Sequence, residues 1–447
     1  MNAATLIHRR ELLRIGGVSV LAAVGGGAAA LAAPSTASGA SASPQAKRCI
    51  FMLLQGGPSH LDLWDPKPAA PVEVRGPYQT IETKLPGVRF GEMAPRTAGV
   101  ADKIAIVRSM THRFTNHIAG TYITLTGSTN QPDQDREAKG EDFPGPGAVL
   151  NYLNPGASKA PPSVSLPTWL SIPGPSNRMP GQYAGFLGAV RDPFLIQGDP
   201  NDKSFRPLAL SLPGGFPQER MQARWGLLAA LNAAARRLED SSTSTNDHLR
   251  QSAYELLVDP KVAEALDLAR EPDAVRDRYG RSKIGQSLLL ARRLLEAGVQ
   301  MVSYNAFNQE WDTHGDLFNR YKQIVPQMDQ AYSALIEDLA QRGMLDDTLV
   351  INTGEFGRTP LINKDKGRDH WPNVYTALLA GGGIRGGQVY GASDKKGAQV
   401  ASAGVSPADM LATMWHLLGV SPETELHDRL GRPQVLSRGR VVSEILG

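Results

Sequence analysis

Short apolar runs closed by Gly or Pro alternate along this chain with longer amphipathic stretches. Arg48–Gln55 (RCIFMLLQ) is apolar after its first residue and stops at Gly56-Gly57-Pro58, which predicts a buried strand feeding a loop. Lys103–Arg108, Gln300–Ala306 and the β-branched Thr348–Thr353 (TLVINT) read as further strands, the last ended by Gly354. Asn116–Thr126 predicts a helix stopped by Gly127, and Ile284–Ala297 one stopped by Gly298 at the end of an Ala/Leu/Arg-rich helical region, Pro217–Ala297. Leu317–Arg342 predicts a long helical stretch interrupted at Pro326. Ser406-Pro407 with Asp409 has the chemistry of a helix start. Asn130–Gly214 is dense in Pro and Gly without a period, and is read as an insertion lying over the core. Strands alternating with helices predict an α/β fold, a mostly parallel sheet covered on both faces.

The N-terminus changes the picture of where the chain works. His8-Arg9-Arg10-Glu11-Leu12-Leu13-Arg14 precedes a mildly apolar run from Ile15 to Ala33, and Ala40-Ser41-Ala42 offers a cleavage site. A basic start, an apolar stretch and small residues at the exit make an export signal, and the paired Arg points to the twin-arginine route. Residues 1–42 are therefore expected to be a signal peptide, with the domain in 43–447 and the insertion at roughly 130–214. That implies a periplasmic or extracellular protein. No second long apolar run follows, so no membrane span is expected after signal removal. The whole chain has 47 Lys+Arg against 44 Asp+Glu, and no basic stripe suggests nucleic acid. The single cysteine, Cys49, excludes an internal disulfide framework and a CxxC metal site.

In a parallel sheet, ligands bind beyond the carboxyl ends of the strands. Polar residues gather there. Ser59, His60, Asp62 and Asp65 follow the first strand, and His112, Thr115, Asn116 and His117 follow the second. Glu310, Asp312, His314 and Asp316 follow the strand at Gln300–Ala306. Glu355 and Arg358 follow Thr348–Thr353, and Arg368-Asp369-His370-Trp371 comes soon after. Imidazole with carboxylate suits zinc or manganese, while carboxylates alone suit calcium or magnesium. For any one pair the ordinary alternative is a solvated loop or a structural hydrogen bond. Arg358 and Arg368 are candidates to clamp an oxyanion, with a surface arginine as the alternative. Gly381-Gly382-Gly383 lacks phosphate-loop spacing and reads as a turn before a short strand, Gln388–Tyr390. Trp64, Trp311 and Trp371 adjoin these clusters, as pocket walls or as core.

The segments LLQGGPSHLDLWDPKP, NHIAGTYITLTG, AGFLGA, YGRSKIGQSLLLARRLLEAGVQMV, WDTHGD, INTGEFGRTP and GRDHWPN resemble a bacterial secreted family, domain of unknown function 1501. That family is similar to the alkaline phosphatase and sulfatase superfamily. The resemblance implies a three-layer αβα sandwich and hydrolysis of phosphate or sulfate esters with one or two divalent metal ions. In the superfamily a Ser, Thr or Cys nucleophile begins a helix that ends in Thr-Gly ten residues on; here that place is held by His117, ahead of Thr126-Gly127. Asp312, His314 and His370 match one metal site, with Asp369 nearby. The second site departs from the pattern. Glu355 could replace its Asp ligand, Phe356 stands where a ligand is needed, and the first-strand Asp falls near Gln55. His60, Asp62 and His117 are the candidates to rebuild it.

The reading that results is a metal-dependent ester hydrolase using zinc, manganese, calcium or magnesium. His117 would serve as nucleophile or ligand, and Arg358 or Arg368 would hold the anionic group of the substrate. A sulfated or phosphorylated polysaccharide is one candidate substrate. The alternative is a non-catalytic relative that uses the same cleft to bind a polysaccharide or a cell-surface partner.

Overall fold

The structure is a computed structural model and describes residues 45–154, 160–172, 178–205, 260–306 and 309–447. The expected signal peptide and residues 206–259, the end of the expected insertion and much of the helical region, lie outside the described residues. Eight strands form the main sheet: β1 (Arg48–Leu53), β2 (Ile104–Met110), β3 (Ser163–Leu166), β4 (Phe194–Leu195), β5 (Met301–Asn305), β6 (Thr348–Thr353), β7 (Tyr375–Ala380) and β8 (Gln388–Tyr390). Their order across the sheet is β8-β2-β7-β6-β1-β5-β3-β4. All neighbours pair in parallel except β7, which runs antiparallel to both β2 and β6.

The alternation of side chains along a strand explains why β1 is apolar throughout. Ile50 and Met52 enter one core, and Cys49, Phe51 and Leu53 enter the other. Helices α3 (Lys283–Glu296) and α4 (Leu317–Gln341) pack on the first face through Leu288, Leu295, Tyr332 and Leu335. Helices α1 (His117–Thr126), α2 (Pro146–Leu153) and α5 (Pro407–Leu417) cover the second through Ile118, Val149, Met410 and Trp415. This is a three-layer α/β sandwich. Each fully buried Leu, Ile or Phe contributes about 1.5–3 kcal/mol, so two continuous cores fix the sheet firmly.

Three elements differ from expectation. The insertion does not simply lie over the core, because it supplies β3 and β4 at one edge of the sheet. Helix α4 runs through Pro326 without a break. Pro326 is on the exposed face, where the hydrogen bond that its ring removes is not lost in the core. Strand β7, enclosed between β2 and β6, has no counterpart in the sequence reading, although YTALLA is a short apolar run closed by Gly381.

Candidate metal centre

Strands β1, β2, β5 and β6 point the same way, so their carboxyl ends share one edge of the sheet. The chain leaving β5 must cross the turn that leaves β1. Gly56 has φ +111°, and a Cβ there would collide with the amide of Asp312. Gly57 has φ +75°, and its Cβ would lie 2.6 Å from the Phe356 ring. Only glycine permits this crossing, which brings Asp312 beside Glu355.

Asp312 is the hub. His314 Nε2 lies 3.2 Å and His370 Nε2 3.3 Å from its Oδ1, and His117 Nε2 lies 3.4 Å from its Oδ2. The Nε2 atoms of His314 and His370 are 3.0 Å apart. His117, the first residue of α1, and His370, on the short strand that pairs with Gly357–Arg358, bring their ring centroids to 4.2 Å. Phe356 stacks on His370 at 4.4 Å. It binds nothing, but closes one side of the site.

The other nitrogen of each ring decides the tautomer. His370 Nδ1 faces the Thr115 carbonyl at 2.6 Å, and a carbonyl only accepts, so Nδ1 carries the proton. His117 Nδ1 donates to Glu355 Oε1 at 2.7 Å, and His314 Nδ1 to Asp369 Oδ1 at 2.7 Å. In their neutral forms all three imidazoles therefore aim an Nε2 lone pair at the same carboxylate. The buried Nε2 of His117 makes no hydrogen bond. Lone pairs facing a carboxylate repel unless a proton or a cation lies between them. Outer acceptors that fix metal-binding histidines have this same pattern.

A tetrahedral ion with bonds of about 2.0–2.2 Å separates its ligands by roughly 3.3–3.6 Å. Four separations run from 3.0 to 3.4 Å, with His314 and His370 on Asp312 Oδ1 and His117 on Oδ2. Three imidazoles and one carboxylate fit zinc or manganese and disfavour calcium and magnesium, which prefer all-oxygen sites. His117, Asp312 and His370 have ligand atoms all within 4.8 Å of one another, a geometry that could hold an ion.

The electrostatics of the cluster are dominated by its carboxylates and Arg358. Burial alone would raise the Asp312 carboxyl, but the His117 and His370 imidazoles beside it, with the Arg358 charge, hold it far below the usual range. Burial opposes a charge on His117, yet the Asp312 and Glu355 carboxylates outweigh it and raise the imidazole to about 9. His370 is lowered by burial and by the charges of His117 and Arg358, against the pull of Asp312. His112, lowered to about 4 mainly by burial, is neutral and donates Nε2–H to the Glu355 carbonyl.

Several expected roles are corrected. Arg358 is fully buried and its donors are spent: on the Gly57 carbonyl at 2.9 Å, the Arg368 carbonyl at 2.9 Å, the Gly56 carbonyl, and Asp312 Oδ1 at 2.6 Å. It steadies Asp312 and is not free to clamp a substrate. Arg368 is likewise consumed, by Asp62 at 2.7 and 3.2 Å and by the carbonyls of Val74, Thr359 and Pro360. Asp62 is thereby paired, also accepts from Ser59 Oγ, and is not a metal ligand. His60 is buried with Nε2 on the Gly397 carbonyl at 2.9 Å, apart from the cluster. Glu355 serves as the outer acceptor for His117 and for the Gly56 amide at 2.8 Å. Asp369 plays that part for His314. Trp64 and Trp311 belong to the core, and Trp371 is half-buried with Nε1–H on the Ala398 carbonyl.

Residues 46–446 match the family described as "Protein of unknown function (DUF1501)". The chain belongs to that family. No curated protein matches it. Among solved structures it is similar to Ps i-CgsB in complex with k-i-k-neocarrahexaose, with 13% identity, TM-score 0.41, and coverage of 84% of this chain and 73% of that one. It is also similar to an alkaline phosphatase superfamily protein from Vibrio parahaemolyticus, with 13% identity, TM-score 0.39, and coverage of 91% and 72%. A third is the PsFucS1 sulfatase from Pseudoalteromonas sp., with 14% identity, TM-score 0.35, and coverage of 84% and 68%. Likeness at this level assigns no residue a role.

Proposed function

We propose that this chain is an exported, metal-dependent hydrolase of phosphate or sulfate esters. The observation that supports it most is the convergence of three Nδ1-anchored imidazoles on Asp312. The substrate class rests on the sequence resemblance of the segments around His117, Asp312 and His370. A divalent cation held there would polarise an ester oxygen and offset charge that develops in the transition state. Asp312, His117 and His370 would hold it, with His314 completing the set from the solvent side. Arg358 keeps Asp312 ionised and in place. Glu355 keeps the His117 ring oriented, which favours a ligand role for His117 over a nucleophilic one. His314 and Asp369, 49% and 54% exposed, form the open side where substrate enters. With Arg358 and Arg368 spent, the anionic group of the substrate meets the cation and not a guanidinium clamp. Export rests on Arg9, Arg10 and the apolar run that follows them. Replacing both Arg by Lys should block export of the folded protein, and persistent export would remove the twin-arginine reading.

Elemental analysis of the purified mature protein, with a panel of aryl phosphates, phosphodiesters and sulfates, tests the reading. It predicts bound zinc or manganese and turnover of one ester class that His117→Ala abolishes along with metal occupancy. Loss of turnover with metal retained would instead make His117 the nucleophile. Bound metal without turnover of any ester would favour the second reading, a cleft that binds a polysaccharide or surface partner. The absence of Ser, Thr or Cys at the start of α1 is the observation on that side.

A further inference from the structure

The insertion reaches back to the metal centre through one carboxylate. Asp133 accepts from the Thr115 amide at 3.0 Å, from Thr115 Oγ1 at 2.9 Å and from the Asn116 amide at 2.8 Å. Asp135 accepts from Asn116 Nδ2 at 2.7 Å. The two residues held this way aim two of the imidazoles. The Thr115 carbonyl takes the Nδ1 proton of His370 at 2.6 Å. Asn116 caps α1, its Oδ1 accepting from the Ile118 and Ala119 amides at 2.9 and 3.3 Å, and His117 is the first residue of that helix.

The Thr115 carbonyl and the Asn116 N–H belong to one planar peptide group and point in opposite directions. That plane is gripped at both ends, by Asp133 on one side and by His370 on the other. It cannot turn without breaking both bonds. The grip on the Asp133 side is charge-assisted, which makes it stronger than a neutral hydrogen bond.

We propose that Asp133 is a positioning residue of the metal centre: it holds the Thr115–Asn116 peptide so that the carbonyl fixes the Nδ1–H tautomer of His370 and leaves Nε2 to the cation. The inference rests on the metal reading for its consequence, but its geometry stands apart from it. It also gives the insertion a task that the sequence does not show, because Asp133 touches no ligand and lies 16 positions beyond His117.

Two measurements on the full mature protein test it. Zinc affinity, read by competition with a chelator, should fall by up to about 10-fold in Asp133→Ala, the lower end of what loss of a direct outer partner costs, because the Thr115 carbonyl itself remains. Asp133→Asn keeps an acceptor oxygen and should lose less, and it carries the test if the alanine variant fails to fold. The ¹⁵N spectrum of the His370 imidazole in zinc-free protein should show the Nδ1–H tautomer in the wild type and a tautomer mixture in Asp133→Ala. Unchanged affinity together with an unchanged His370 spectrum would overturn the proposal. A wild type that takes up no zinc would remove the metal reading. The tautomer comparison would then still decide the grip by itself.

Discussion

Two polar clusters lie beyond the strand ends, and they are built in opposite ways. Around Asp62 every charge is matched: the Arg368 guanidinium forks onto both carboxylate oxygens, and both side chains are 0% exposed. Around Asp312 only Arg358 is matched, and three imidazole nitrogens are left facing the carboxylate. The first cluster is closed on itself and secures the loop that leaves β1. The second turns imidazole nitrogens toward a carboxylate, a geometry that could hold a cation. Both consist of the residue types that suggest chemistry in a sequence. What separates scaffold from site is whether each charge already has its partner.

The largest effect is expected from removing the hub of the open cluster. Asp312→Ala should cost more metal affinity than the roughly 10–100-fold typical of outer partners, with the fold retained. A variant that still copurifies with metal would show that the imidazoles, not the carboxylate, define the centre. In the closed cluster the expected loss is of stability instead. Arg368→Leu leaves Asp62 buried without its partner, and urea unfolding should show a loss of about 3–5 kcal/mol while metal stoichiometry stays unchanged. A smaller loss, or loss of metal, would dissolve the distinction between the two clusters.

Glu355→Gln probes the link between buried scaffold and open site. It removes the charge that anchors His117 Nδ1, and chelator competition should show an affinity reduced by about 10-fold or more. The smallest effect is in protons. In the metal-free protein His117 is raised to about 9, so at pH 7 it holds a proton that a cation must displace. Metal binding should therefore release about one proton at pH 7, measured by calorimetry in buffers of different ionisation enthalpy, and affinity should fall as the pH falls. Glu355→Gln should release less. Binding without proton release would mean that His117 is not a ligand.

Much of the fold is legible because its strands are buried on both faces. Arg48–Gln55, Gln300–Ala306 and TLVINT stand out as apolar runs bounded by turns, and they become β1, β5 and β6 within a residue or two. Asn116 and Gly127 mark the ends of α1 because a cap and a left-handed terminus need those residue types. Strand β7 (YTALLA) is a run of the same kind closed by Gly381, and what the sequence does not record is its antiparallel place between β2 and β6. Of the site, Asp312, His314, His370 and His117 are legible as types in loops at strand ends. The roles of Arg358, Arg368 and Asp62 are not, since a sequence shows a charge without the partner that neutralises it. Asp133 is invisible for a related reason. It acts through two backbone amides, a hydroxyl and a carbonyl, groups that no residue pattern records.

If the Asp312 cluster holds a metal ion, the protein carries it in fixed proportion. Metal content per chain, measured by mass spectrometry on purified mature protein before and after dialysis with zinc or manganese, tests it most directly. The wild type should carry about one equivalent of a single transition metal and Asp312→Ala none. A folded wild-type protein that stays metal-free after both loadings would contradict it.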